Sequence, residues 1–218
     1  MGSESSELTE EQIQTGMKNV LLDGLTTRAM ITLTEGIFLI AFARKLGAPL
    51  FVIGLLAAIP PLAQLIQIPS IYLIEKYRDR RKISIYAAFG SRLSILLLVL
   101  IPFMISRGSG FTAELAISVI LVSIFLRGAF GAIGTTSWNS WIRDLIPGKK
   151  LGSFFSKRWG YSTALSIPLS LLAGFFIARW EEVFPALDLE GYSILFFVGF
   201  VAGMIGLYFL YRTPEPRM

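Results

Sequence analysis

The 218-residue chain contains no cysteine and no histidine. This removes disulfides, thiolate nucleophiles, imidazole bases and the commonest metal ligands, so no enzyme, cofactor or metal centre is expected. Charge is scarce as well. Only 16% of residues are Asp, Glu, Lys or Arg against 54% hydrophobic, and the mean hydropathy is +0.64. A soluble globular domain carries about 25% charge, so the chain is read as an all-α integral membrane protein whose main partner is the lipid bilayer. The net charge of +5 does not point to nucleic acid, because Lys and Arg sit in short loops beside apolar runs rather than along one soluble face. No basic stretch followed by a short apolar core opens the chain, so no cleaved signal peptide is expected. Residues 1–17 read as a disordered cytoplasmic tail.

Against this apolar background one segment stands out. Glu75-Lys76-Tyr77-Arg78-Asp79-Arg80-Arg81-Lys82 carries seven charges, five of them basic. It lies between apolar runs at 51–74 and 83–105, each long enough to cross a bilayer. Such a segment cannot rest in hydrocarbon, and short loops rich in Lys and Arg stay cytoplasmic. The other spans follow at 20–43, 112–141, 159–178 and 192–211. Lys18, the five bases of this loop, the five from Arg143 to Arg158, Arg212 and Arg217 fall on the same side. Arg44, Lys45, Arg107 and Arg179 fall opposite, and Arg28, Arg92 and Arg127 lie within spans. Six spans with both termini cytoplasmic are therefore expected in the cell (plasma or inner) membrane. The domain runs over 18–212 and ends in a cytoplasmic stretch, 213–218.

Charges inside spans cost about 2.5–3.5 kcal/mol on insertion scales and mark function or a partner. At about 1.5 Å per helical residue, Glu35 lies roughly 22 Å and Arg127 roughly 16 Å from the cytoplasmic end of their antiparallel spans, close enough in depth to pair. Arg28 stands seven residues before Glu35, on one helix face. The bland alternative is a static ion pair that only fixes packing. Gln64 and Gln67 share a face beneath Pro60-Pro61, where they bind a polar solute or merely join helices. Arg92 is expected to snorkel to the cytoplasmic interface, and Asp23 to sit near it. Trp138 and Trp141 suit an interfacial belt, and Gly199, Gly203 and Gly206 suit close helix packing.

The loop resembles the Gly-x-x-x-Asp-Arg/Lys-x-Gly-Arg/Lys-Arg/Lys pattern of the major facilitator superfamily. Glu75-Lys76 take the acid and first base, and Arg80-Arg81 the final pair; Ile71 replaces the first Gly, and the second Gly is missing. Arg127-Gly128-Ala129-Phe130-Gly131 is similar to that family's Arg-x-x-x-Gly motif in the fourth span. The run Trp138-Asn139-Ser140-Trp141-Ile142-Arg143-Asp144, followed by Gly152, Phe155 and Arg158, looks like a bacterial subgroup of largely unassigned substrate. Of the antiporter Gly-Pro motif, Ile167-Pro168 keeps only the proline. The resemblance implies the N-terminal six-span half of a transporter, built as two inverted three-helix repeats. A second six-span bundle would face it, either another copy or a C-terminal half. Such a chain would move a small solute by alternating access, with Glu35 as the protonatable coupling site and Arg28, Arg127, Gln64 and Gln67 lining the path. Glu75, Arg80, Arg81 and Asp144 would form a cytoplasmic gate. The rival reading is a non-transporting membrane scaffold or assembly protein that retains the half-fold.

Overall fold

The computed structural model describes residues 8–77, 79–106 and 110–216. Arg78, Arg107 and Arg217, which entered the charge allocation, lie outside them. The described residues form helices and connecting turns without a strand: α1 (Glu10–Thr34), α2 (Gly36–Lys45), α3 (Leu50–Ala63), α4 (Gln67–Tyr77), α5 (Arg80–Leu93), α6 (Ile95–Ser106), α7 (Ala113–Leu145), α8 (Gly148–Val183) and α9 (Asp188–Tyr211). Grouped across their short interruptions, they make six spans long and apolar enough to cross a membrane.

The first span begins earlier than the composition implied. Residues 10–17, expected in a disordered tail, are the first turns of α1. Thr9 and Gln12 form a reciprocal capping box there, which satisfies two otherwise orphaned backbone donors. The same span is not one helix. Glu35 is extended (φ −130°, ψ −174°), and Gly36 has φ +56°. A glycine in the left-handed region just past a helix end is a common stop signal. Here it stands in the middle of an apolar segment.

The second and third spans are also interrupted. Pro60 and Pro61 lie within α3, and Gln64–Ile66 is a single 3-10 turn before α4. Proline has no backbone N–H and crowds the preceding turn. Ser94 separates α5 from α6, and its carbonyl accepts the Ser123 hydroxyl at 2.7 Å. By contrast α7, α8 and α9 run uninterrupted for 33, 36 and 24 residues.

The packing is built on two tight pairs. α1 lies along α9, where Gly199, Gly203 and Gly206 are buried beneath Thr34, Met30 and Thr26 of α1; a Cβ at any of the three would stand 2.5 Å from those side chains. α5 lies along α7. α1 also packs on α8, α3 on α7, and α6 on α9. A large apolar cluster fills one half of the bundle around Phe42, Ile95, Leu98, Ile120 and Phe196. A smaller one around Trp141, Ile142 and Leu145 fills the end near the charged loop. Trp141 does not face outward as a belt residue would. It is fully buried, and its indole N–H donates to the Pro214 carbonyl at 3.0 Å, while Trp138 is half-buried. The chain after α9 folds back over this end and supplies that acceptor, so the tryptophan serves packing rather than a membrane boundary.

Candidate functional site: a charged cavity at the helix breaks

A cavity of about 550 Å³ lies between α1, α2, α3, α5 and α7, with α8 reaching it through Arg158. Cavities of this size hold small solutes. Its upper part is built by the break in the first span. Arg127 is 7% exposed; its Nη2 stands 2.8 Å from Glu35 Oε1, and its Nη1 donates to Thr34 Oγ1 at 2.7 Å. Although Nη2 is close to the carboxylate, its N–H makes no well-aligned hydrogen bond, so Coulomb attraction rather than hydrogen bonding holds that contact. Glu35 keeps 40% of its side chain exposed. No side chain caps the start of α2, so the first-turn N–H groups, which have no intrahelical acceptor, lie beside the cavity wall formed by Glu35 and Gly36. Non-helical backbone within an apolar span is tolerated where it lines a water-filled cavity.

A second charged group sits deeper toward the charged-loop end. Arg92 is buried; its Nη2 lies 3.2 Å from Asp23 Oδ1 and donates to Thr27 Oγ1 at 3.1 Å, while its Nε donates to the Gly203 carbonyl at 2.6 Å. The expectation that Arg92 snorkels to the interface is therefore corrected. It stands roughly 18 Å along α5 from Arg80, and its head turns into the bundle to pair with Asp23. Arg158, assigned to a loop from sequence, enters from α8. Its Nη2 is 4.0 Å from Asp23 Oδ2, its Nε donates to the Val20 carbonyl at 3.3 Å, and its guanidinium lies over the Trp138 ring at 4.9 Å. It crosses α1 at Gly24, where a Cβ would collide with its Nε. Charge within an apolar span marked Asp23 and Arg92 in the sequence; Arg158 stood out only in the run that resembles a bacterial subgroup, and its place in the cavity was not expected, because the long α8 carries its apparent loop into the bundle.

Of the remaining expected lining residues, Gln64 borders the cavity. Gln67 instead donates to the Gln64 side chain, and is half-buried beside it. Arg28 does not line the cavity and has no acidic partner among the described residues. Thr27 and Ile31 of α1 face the cavity while Arg28 does not, and the extended Glu35 leaves the α1 face that carries Arg28. Arg28 does lie near enough to Arg158 to repel it.

The expected gate residues divide. Arg80 Nη1 stands 2.5 Å from Asp144 Oδ2 and donates to Ser140 Oγ at 2.9 Å, joining α5 to α7. Glu75 is exposed and forms no ion pair among the described residues; it lies in the last turn of α4, whereas the pair forms at the start of α5. Arg81 turns to the segment after α9. Its backbone N–H donates to Glu215 at 3.3 Å, its side chain donates to the Tyr211 carbonyl, and its guanidinium covers the Tyr211 ring. At the opposite end, Lys45 bridges Glu181 at 3.2 Å and Asp188 at 2.9 Å, a cluster that the sequence did not reveal because its members are far apart in the chain. Among the described residues no group of acids is placed to hold a metal. No family model, no curated protein and no solved structure matches the chain.

Proposed function

We propose that the chain is a six-helix bundle of a secondary active transporter, in which a small solute enters the cavity between the interrupted spans and proton binding at Glu35 drives its movement. The single observation that carries this reading is the half-exposed Glu35 held against the buried Arg127 at a helix break inside an apolar span. A packing-only ion pair needs neither a broken helix nor a solvent-reachable carboxylate. The Arg80–Asp144 pair would be the gate at the charged-loop end, which by its excess of Lys and Arg would be cytoplasmic. The packing pattern supports inverted repeats. First span on sixth corresponds to fourth on third, first on fifth to fourth on second, and the third packs on the sixth, as exchange of the two three-span halves requires. The resemblance of the charged loop to the major facilitator superfamily points the same way.

The test is reconstitution in liposomes under a pH gradient, with a solute panel and an internal pH dye. Solute-dependent proton flux is expected, and Glu35→Gln should abolish proton-driven uptake while leaving counterflow of bound solute partly intact. Driven uptake at an unchanged rate in that variant would remove Glu35 from the coupling step. Absence of flux with every solute would favour a non-transporting scaffold.

A further inference from the structure

The cavity is not electrically balanced. Three guanidinium groups line it, those of Arg92, Arg127 and Arg158, against two carboxylates, Asp23 and Glu35. Protonation of either acid only enlarges the excess. The surplus has a location. Arg127 is matched by Glu35, whereas Asp23 is shared: Oδ1 is taken by Arg92 and by the Thr27 hydroxyl, and Oδ2 is 4.0 Å from Arg158. Arg28 adds positive potential from the neighbouring turns of α1. Arg158 is thus the least neutralised cation of the cavity, and Trp138, Asn139 and Thr135 lie on the same wall. In surroundings of low dielectric an unmatched charge interacts far more strongly than in water.

From this imbalance we infer that the cavity takes a solute bearing one negative charge, held by Arg158 beside the Trp138 ring. This deepens the transporter reading by naming the class of solute. The solute's charge brings the cavity to neutrality, and its anionic group meets the Arg158 guanidinium where that group lies over the Trp138 ring. Gly24 is part of the site, since any side chain there would push the guanidinium away.

Collisional quenching of the Trp138 emission tests the charge without needing the natural solute or any transport. That emission is taken as the difference between the unaltered protein and Trp138→Phe, in nanodiscs of zwitterionic lipid. Iodide should quench it roughly an order of magnitude more efficiently than caesium when each is normalised to neutral acrylamide, by local accumulation of the anion. Arg158→Gln should abolish the preference and Arg158→Lys should retain it. Gly24→Ala should reduce it severalfold with no change in charge, which keeps the test decisive if Arg158→Gln folds poorly. Equal quenching by iodide and caesium in the unaltered protein overturns the proposal, and so does a preference that survives in folded Arg158→Gln. Loss of the preference when anionic phosphatidylglycerol is added would assign the site to a lipid headgroup and overturn a free solute. A preserved iodide preference with no transport of any solute would instead sink the transporter reading and leave the anion site standing.

Discussion

At the scale of single residues, the two buried arginine systems differ in how much they depend on one acid. Asp23 faces Arg92 and Arg158 together and is itself buried. Removing one partner of a buried pair leaves an uncompensated charge, at about 3–5 kcal/mol. Asp23→Asn should therefore lower the thermal stability of the purified protein markedly. Asp144 is half exposed while Arg80 is buried, so solvent screens only one member of that pair, and Asp144→Asn should cost less than Asp23→Asn while raising labelling of introduced cysteines along α7 near Asn139. Equal unfolding temperatures for the two variants would contradict this ranking. Asp79 gives a separate case outside the spans. Burial nudges its carboxyl up, but the Lys82 side chain at 2.7 Å and the Lys82 backbone N–H at 2.9 Å outweigh that and hold it below the usual carboxylate range. A carboxylate depressed on folding stabilises the fold above its unfolded pKa of about 3.9, and that contribution is lost as pH falls through the lower folded value. As the N-cap of α5 it is worth about 1 kcal/mol. Asp79→Ala should lower stability by that amount at pH 7, and the difference from the unaltered protein should shrink below pH 4, as read by denaturation at both pH values. The charges of the site were legible in Glu35, Arg127 and Asp23 because each interrupts an apolar run. The role of Arg158 was not, because which end of α8 enters the bundle depends on tertiary packing.

At the scale of elements, six apolar runs were legible from length and composition alone, and their order matches the six spans. The joints within them were only half legible. Pro60-Pro61 announced one, yet Glu35-Gly36 passed as part of a continuous span because a single glycine is tolerated inside membrane helices. Its importance lies in its backbone. A residue with a Cβ pays about 1–2 kcal/mol in the left-handed region, so Gly36→Ala should destabilise the fold by roughly that much. Gly54, inside α3 with open space where a Cβ would stand and no left-handed φ, is the control. Gly54→Ala should be neutral or stabilise by up to about 1 kcal/mol. Thermal unfolding of the two variants in one detergent checks the contrast, and similar behaviour would mean that the Gly36 conformation is not required.

At the scale of the whole molecule, the interrupted first, second and third spans and the continuous α7, α8 and α9 form unlike halves. If the cavity serves transport, the face that bears Glu35 must be closed by protein rather than lipid, since a charge at that depth costs about 2.5–3.5 kcal/mol. A second bundle in parallel orientation, a copy of this one or another six-span unit, is the expected cover. Mass photometry in nanodiscs should show the bundle in pairs when no other bundle is supplied, and a transport-competent single bundle would refute the pairing. The unlike halves also bear on how such a body bends. A jointed column yields at its joints, whereas an unbroken one carries load along its length. Any rocking of this bundle should therefore be taken up at Glu35, at Gln64–Ile66 and at Ser94, while α7, α8 and α9 move as stiff struts. Two of those three compliant points, Glu35 and Gln64, border the cavity, so whatever fills it presses directly on the places where the structure can flex.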